Sequence, residues 1–345
     1  MNHSEKIYGF SYLRAVACIA IIILHMFASA SILYGGYIDI MGNAWSRAIS
    51  NSMMWAVPCF VMTTGALLLD KNRRLTYGKL FKKYIFRVLA ALVICCILFR
   101  FFDMEMDGEK AGIGILFGGL YEMFTGTGWS HLWYLYLLIG LYLMMPFYKK
   151  MAEYSEKFEI KYLLAVYLLF VSILPLTYLL NVSSGFYIHV STIYPFYLFC
   201  GYAVHQGLVK TNRWAAFAAM IISTGLLAIF SVIRWEKNLE VMEQLWSYSS
   251  ILVVIQAVSI FILFDSVKGQ GSSWFGRILL SVDTCSFGIY LIHMIFIRLI
   301  LRYMSFNPYE GHVIINFLLL IIGTFFVSYL CTWILKKVPV IKEIL

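Results

Sequence analysis

Two ionisable side chains, Arg14 and His25, lie in the first long apolar segment of the chain. Ionisable residues inside an apolar span are costly and usually have a function. Eleven residues separate them, close to three helical turns, so a helix would carry both on nearly the same face about 16 Å apart. That face would present a fixed positive charge at one depth and an imidazole, which exchanges protons near neutral pH, at another. The alternative is an Arg that reaches the headgroups and a His that donates to a neighbouring carbonyl.

A second set of charges opens the third apolar segment, where Lys79, Lys83 and Arg87 are spaced four apart. On a helix this spacing produces one basic stripe. Such a stripe suits an anionic ligand, especially a phosphate, to which Arg can donate two parallel hydrogen bonds. It equally suits an anchor on anionic lipid headgroups, and the spacing alone does not decide between the two.

Further candidates are imidazole and aromatic side chains in later apolar segments. His131 and Trp133 open the fourth segment, where Trp is typical of the membrane interface, so we expect His131 near the outer surface. The ninth segment carries Tyr290 and His293, three apart on one helical face. His293 is the second histidine near mid-membrane depth, after His25. Two such histidines from different spans predict one shared polar cavity.

The elements that must position these side chains are membrane helices. Of the 345 residues, 61% are hydrophobic and 13% are charged, whereas soluble domains carry about 25% charged residues. The apolar residues form long blocks that a single soluble core could not bury but a bilayer can. We therefore predict an all-α integral membrane protein, a bundle of about ten transmembrane helices. The spans are predicted near Phe10–Ile32, Met53–Leu69, Tyr84–Phe101, Leu132–Phe147, Tyr162–Leu180, Ile188–Val204, Trp214–Val232, Tyr248–Phe264, Phe287–Leu301 and Ile314–Leu335.

Loop charges predict the orientation of this bundle. Lys and Arg cluster after the second and fourth predicted spans and at the C-terminus, whereas the loop after the third span is acidic. By the positive-inside rule, both termini are cytoplasmic. The longest stretches between spans, Ser31–Ser52 and Asp103–His131, are then on the outer side. Both are too short for a separate domain, so residues 1–345 are predicted to form one domain.

The same charge distribution excludes other partners. The orientation signals explain the net charge of +9, so no nucleic-acid partner is expected. The lipid bilayer is the expected partner of the charged loops.

The seven cysteines fall in or beside apolar runs without metal-ligand spacing, so no metal site is predicted. A phosphate loop of the ATPase type is absent from the sequence, which disfavours an ATP-driven pump. The sequence carries no indication of an oligomeric state.

Taken together, these motifs resemble those of membrane acyltransferase family 3, the integral membrane O-acyltransferases of surface glycans. The resemblance covers nearly the whole chain. Arg14 and His25 look like the family's pattern of Arg, ten residues and His, and Thr64 stands where the family usually has Ser. The stretches His131–Leu135 and Ser286–His293 are similar to later patterns of the family, in the same order.

The chain departs from the family at the start of the third span. There the family often has Arg-x-x-Arg, whereas this chain has Tyr84 and Arg87, with Lys83 beside the gap. Lys83 is therefore expected to supply the charge that Tyr84 lacks.

The resemblance implies transfer of an acyl group, most often acetyl, from coenzyme A to a hydroxyl of a cell-surface glycan or lipid-linked glycan. Acetyl-CoA or another acyl-CoA would be a co-substrate and no cofactor would stay bound. The expected location is the bacterial cytoplasmic membrane.

It also implies roles for the candidate residues. His25 is expected to be the base that activates the hydroxyl, or a transient acyl carrier, with Arg14 as the second catalytic residue. The acyl donor is expected to bind Lys79, Lys83 and Arg87. The acceptor side of the site, or the side chains that orient His25, is expected to comprise His131, Trp133, Tyr290 and His293.

Two other functions remain open from the sequence. A transporter or flippase of a polar lipid or acyl donor would need the same spans and cavity, and turnover of acetyl-CoA would discriminate against it. A sensory or assembly protein would use its histidines only to join helices. In that case His25→Ala would lower stability while any activity of the folded protein survived.

Overall fold

The chain folds entirely into helices and short connections over the residues that the computed structural model describes, 8–109, 112–182, 184–186, 192–267 and 273–345. No β-strand occurs among them, so the prediction of an all-α protein is confirmed. The α-helices are α1 (Tyr8–Tyr34), α2 (Ile40–Ser52), α3 (Ala56–Leu68), α4 (Tyr77–Lys79), α5 (Phe86–Met106), α6 (Gly114–Thr125), α7 (Trp133–Tyr154), α8 (Lys157–Tyr167), α9 (Tyr194–His205), α10 (Arg213–Lys237), α11 (Ile251–Asp265), α12 (Trp274–Arg298), α13 (Val313–Leu335) and α14 (Pro339–Ile344).

Polar residues set where several of these helices begin. The side chain of Asn212 accepts from the backbone N–H groups of Trp214 and Ala215 at the start of α10. Ser273 does the same for Gly276 at the start of α12. These caps satisfy backbone donors that the first helical turn leaves unpaired.

Nine continuous helical stretches of the described residues are long and apolar enough to cross a membrane. They are Tyr8–Tyr37, Ile40–Leu68, Tyr77–Met106, Ser130–Tyr154, Lys157–Leu180, Arg213–Lys237, Glu240–Asp265, Trp274–Tyr303 and Val313–Leu335. The predicted span Ile188–Val204 lies partly outside the described residues, and its described part is α9. With 12 residues, α9 is about 18 Å long, which is shorter than the hydrocarbon core of a bilayer.

The stretch Ser31–Ser52, predicted to lie between spans, is largely helical in the structure. Its residues Ile40–Ser52 form α2, which runs almost continuously into α3. The polar residues Ser46, Ser50 and Asn51 lower the mean hydropathy of this segment, so its sequence does not resemble a membrane span. In the structure these side chains are buried against other helices. In the same way, part of the predicted outer loop Asp103–His131 forms α6.

The helices that carry Arg14, His25 and His293, α1 and α12, lie side by side with the same direction and register. Arg14 contacts Asp283, the Cys18 thiol donates to the Ser286 carbonyl, and His25 contacts His293. The sequence offset between partners is 268 or 269 residues at all three levels. We call the two ends of the bundle the Arg14 end and the Tyr34 end.

Close packing of α3 against α9 positions another wall of the same region. A Cβ atom on Gly65 would lie 1.9 Å from the Leu198 carbonyl oxygen, and one on Gly201 would lie 2.1 Å from the Met62 carbonyl oxygen. Only glycine allows two backbones to approach this closely, as is common between membrane helices. Gly65 directly follows Thr64, so this contact holds Thr64 in place.

Candidate active site

A cavity of about 500 Å³ opens inside the bundle at the Arg14 end. It is bounded by α1, α3, α5, α7 and α12, and its wall includes Thr64. The charged side chains of its lining are Arg14, Lys83, Arg87, Asp283 and Lys336. The side chains of the lining carry four basic groups against one acidic group, and this excess of positive charge favours an anionic ligand.

Arg14 is held by a carboxylate that the sequence analysis did not identify. Its Nε and Nη2 atoms donate to the two oxygens of Asp283 at 2.7 and 2.9 Å. The sequence-predicted span began near Phe287, so Asp283 was placed outside it, whereas α12 begins at Trp274. One signal was available: Asp283 precedes His293 by ten residues, nearly the spacing between Arg14 and His25.

Of the predicted basic stripe, the structure brings Lys83 and Arg87 to the cavity but not Lys79, which is exposed outside it. Lys79 is the last residue of α4, before the π-helical segment Leu80–Ile85, whereas Lys83 lies within that segment and Arg87 lies in α5 after it. Arg87 also donates to the carbonyl oxygens of Ile344 and Leu345, at 2.9 and 2.5 Å. This region therefore joins the start of α5 to α14.

Beyond the cavity, toward the Tyr34 end, three histidines from three helical segments lie together. The Nδ1 atom of His25 is 2.8 Å from Nε2 of His293. The ring of His131 is centred 6.4 Å from that of His25 and 5.6 Å from that of His293. His293 and His131 are buried, and His25 is half-buried. The fold thus brings His25 and His293 into contact, with His131 beside them, and neither His25 nor His293 belongs to the lining of the cavity at the Arg14 end.

Hydrogen bonding assigns the protons of this cluster. Nδ1 of His293 lies 2.7 Å from the Tyr290 carbonyl oxygen and 3.1 Å from that of Ile289. A carbonyl can only accept, so this nitrogen carries the proton and Nε2 of neutral His293 is an acceptor. His25 must then donate through Nδ1 to His293. The lone pair on Nε2 of His25 is left free to accept a proton, which is the arrangement of an oriented general base.

His131 is buried among the helices, with 2% of its surface exposed. It lies in the short turn Ser130–Leu132 before α7, and Nε2 donates to the Leu291 carbonyl oxygen at 3.2 Å. Its Nδ1 atom is buried without a hydrogen-bond partner among the described residues. His131 therefore offers an unused acceptor inside the cluster.

A cluster around Asp103 covers His131 on the side of the Tyr34 end. Arg298 donates to both oxygens of Asp103 at 2.7 Å, and the indole N–H of Trp129 donates to the same carboxylate at 2.7 Å. The Arg298 guanidinium also lies 4.0 Å from the centre of the Trp129 ring. Trp129 in turn contacts His131 edge-on, with ring centres 6.1 Å apart. Neither Asp103 nor Trp129 stands out in the sequence as a candidate for the site.

The last two candidates, Tyr290 and Trp133, occupy different places. Tyr290 lines the cavity and donates its hydroxyl to the His131 carbonyl oxygen, so its ring lies between the cavity and the histidines. Trp133 does not line that cavity. It contacts Tyr194 and Tyr248 and borders a separate cavity of about 250 Å³.

A bundle of membrane-spanning helices with a basic cavity and an oriented imidazole cluster defines a multi-pass membrane protein equipped for group transfer. The family model described as an acyltransferase domain, acyltransferase family 3, matches residues 7–335, so the chain belongs to that family. It is a membrane acyltransferase, and the family predicted from the sequence motifs is confirmed. No curated protein and no solved structure matches the chain.

Proposed function

We propose that this acyltransferase transfers an acyl group, acetyl in the simplest case, from cytosolic acyl-CoA to a hydroxyl of a cell-surface glycan or lipid-linked glycan. The observation that carries the proposal is the shared register of α1 and α12. At one level these helices present Arg14 beside the basic cavity, and about 15–16 Å further along they present His25 and His293. Coenzyme A likewise carries phosphates at one end and its thioester at the other end of an extended arm.

The basic cavity supports an anionic donor. Arg14, Lys83, Arg87 and Lys336 line it, with Asp283 as the one opposing acidic side chain of the lining. Phosphates with several negative charges gain most from such a concentration of positive side chains. The basic loops and the C-terminal lysines belong to the same end of the helices. By the positive-inside rule we assign that end to the cytosol of a bacterial cell.

In the proposed reaction, the hydroxyl oxygen of the acceptor attacks the thioester carbonyl carbon. His25 accepts the hydroxyl proton through Nε2 as the new C–O bond forms. The C–S bond then breaks, and His25 returns the proton to the departing thiolate, so ester and free CoA are the products. While His25 is protonated, its Nδ1–H bond to His293 becomes charge-assisted and stabilises the imidazolium.

Free CoA release in proteoliposomes tests this proposal. Purified protein is given acetyl-CoA and a mixture of cell-envelope glycans, and free thiol is measured for wild type, His25→Gln and His312→Gln. His312 is exposed at the start of α13, outside the site, and supplies a matched control. We expect release by wild type and the control, and a loss of about 10²- to 10⁴-fold for His25→Gln, with melting temperatures within a few degrees of one another.

Two results would contradict the proposal. CoA release that is unchanged in folded His25→Gln would remove this histidine from the chemistry. Wild-type protein that binds acetyl-CoA but releases no CoA with any glycan would exclude acyl-CoA as the donor. Transport of intact acetyl-CoA into the vesicles in that assay would favour the transporter alternative.

A further inference from the structure

A second polar cavity, of about 370 Å³, shares no lining residue with the active-site cavity. It lies between α2, α10 and the 3-10 segment Glu240–Trp246. The side chains of its wall that can bind a ligand are Arg47, Asn51, Arg234, Trp235, Glu243 and Trp246. None of these residues has a role in the reaction described above.

The charges of this cavity are not balanced. Arg234 is 8% exposed and donates to Glu243. Arg47 makes no hydrogen bond and no ion pair with any described residue, and its Nε atom is buried. The Nε atom of Arg234 is also buried without a partner. Two guanidinium groups therefore face one carboxylate, and unpaired buried donors cost free energy unless a ligand accepts from them.

An oxyanion meets that demand. A carboxylate or phosphate can accept paired hydrogen bonds from the planar guanidinium group, and it supplies the missing negative charge. The rest of the wall suits a sugar ring rather than an isolated ion. Trp246 lines the cavity with a flat apolar ring and a polar edge, whereas the Arg234 guanidinium lies over one face of Trp235, 3.6 Å from the ring centre. Asn51 and Glu243 can bond to hydroxyl groups.

The cavity lies close in depth to the histidine cluster. The Ser50 hydroxyl donates to the Leu24 carbonyl oxygen at 3.2 Å, which aligns this part of α2 with His25. Arg47 lies three residues before Ser50, about 4.5 Å further toward the Tyr34 end. Packed helices are separated by about 8–10 Å, so the cavity and His25 are about one helix apart laterally.

We propose that this second cavity binds an acidic sugar of the acceptor, one that bears a carboxylate or phosphate, and thereby holds the acceptor at the depth of His25. This assignment rests on the proposed function, because it names the substrate class of the same reaction. The guanidinium groups of Arg47 and Arg234 bind the oxyanion, and the indole ring of Trp246 packs against the sugar.

Calorimetric binding in nanodiscs of phosphatidylcholine tests the assignment without any acyl donor. The probes are trigalacturonate, glucose 1-phosphate and neutral maltotriose. We expect at least one acidic probe to bind at least tenfold more tightly than maltotriose, and Arg47→Gln to weaken it at least tenfold. Arg302→Gln is the matched control, since Arg302 is half-exposed elsewhere on the protein and lies 3.8 Å from Asp107. It should leave binding unchanged.

The melting temperature separates a binding role from a structural role. Because Arg47 has no partner among the described residues, Arg47→Gln should keep or raise the melting temperature of the ligand-free protein. A clear decrease would indicate a structural role and would overturn the assignment. So would the failure of both acidic probes to bind in a manner that depends on Arg47.

A lipid headgroup is the competing occupant. In nanodiscs that contain phosphatidylglycerol, acidic-sugar binding should persist if the cavity is a sugar site. If phosphatidylglycerol abolishes it and copurifies with wild type but not with Arg47→Gln, the cavity is a lipid site and the assignment is wrong. Failure of the reaction itself appears separately, as wild-type protein that releases no CoA.

Discussion

His293 should control the reaction rate through His25 without contacting the donor. The proton assignment makes Nε2 of His293 the acceptor for His25, at 2.8 Å. His293→Leu removes that acceptor in a site where the side chain is 0% exposed. His25 then loses the bond that selects its tautomer and that stabilises its protonated form.

The size of this effect follows from the bond that is lost. A hydrogen bond to a charged group contributes about 1.5–3 kcal/mol, which corresponds to about 10- to 150-fold in rate. We therefore expect kcat of His293→Leu to fall by about this factor. The KM for acetyl-CoA should stay within about twofold, because Asp283 and its partner Arg14 in the basic cavity lie about 15 Å from His293 along α12.

The assay is steady-state CoA release from proteoliposomes, with the melting temperature as a check on folding. His293→Gln is the informative partner variant, because its amide oxygen can still accept from Nδ1 of His25. It should retain more activity than His293→Leu. Equal losses of activity in the two folded variants, or an unchanged kcat in His293→Leu, would refute the role assigned to the hydrogen bond from His25 to His293.

Three other predictions concern the cavity, its ion pair and the orientation. Arg87→Ala should raise the KM for acetyl-CoA about tenfold or more, whereas Lys79→Ala should leave the KM unchanged because Lys79 lies outside the cavity. Equal effects of the two substitutions on KM would mean that Lys79 binds the donor together with Arg87, as the sequence predicts. Asp283→Asn should destabilise the protein by about 1.5–3 kcal/mol, and a double-mutant cycle with Arg14→Gln in denaturant melts should be non-additive; simple additivity would mean that the two side chains are independent. At either terminus, a fused reporter protein that works only in the cytoplasm should be active, and one that works only in the periplasm should be inactive. Activity of a periplasmic reporter at one terminus would show that the number of spans differs from the predicted number.

The residues of the site could be largely selected from the sequence. Apolar blocks of membrane length predict spans, because no water can satisfy a backbone inside a bilayer. Arg14 and His25 share a face because the helical period is a local property of the backbone. The same local rule paired Tyr290 with His293. Charged and titratable residues inside such spans are the candidates that the sequence favours, since their burial is costly.

What the sequence could not decide is which of these residues meet. His25 and His293 are 268 residues apart in the chain, and Arg14 and Asp283 are 269 apart. Only the parallel packing of α1 against α12 brings them into contact. That contact also determines which nitrogen of His25 is free to accept a proton. The backbone carbonyl groups of Ile289 and Tyr290 contribute, because they fix the proton of His293 once α12 has folded.

Local sequence rules did not determine which residues of a predicted stripe reach the cavity, or which side chains enclose His131. Lys79 is exposed outside the cavity that Lys83 and Arg87 line, although a regular helix would place all three on one stripe. His131 is buried because Trp129, Arg298 and Asp103 close over it from different helical segments. The sequence by itself thus determined a helical membrane protein and the candidate residues of its site. The tertiary structure decided their partners, their protons and their access to water, because those depend on contacts between distant parts of the chain.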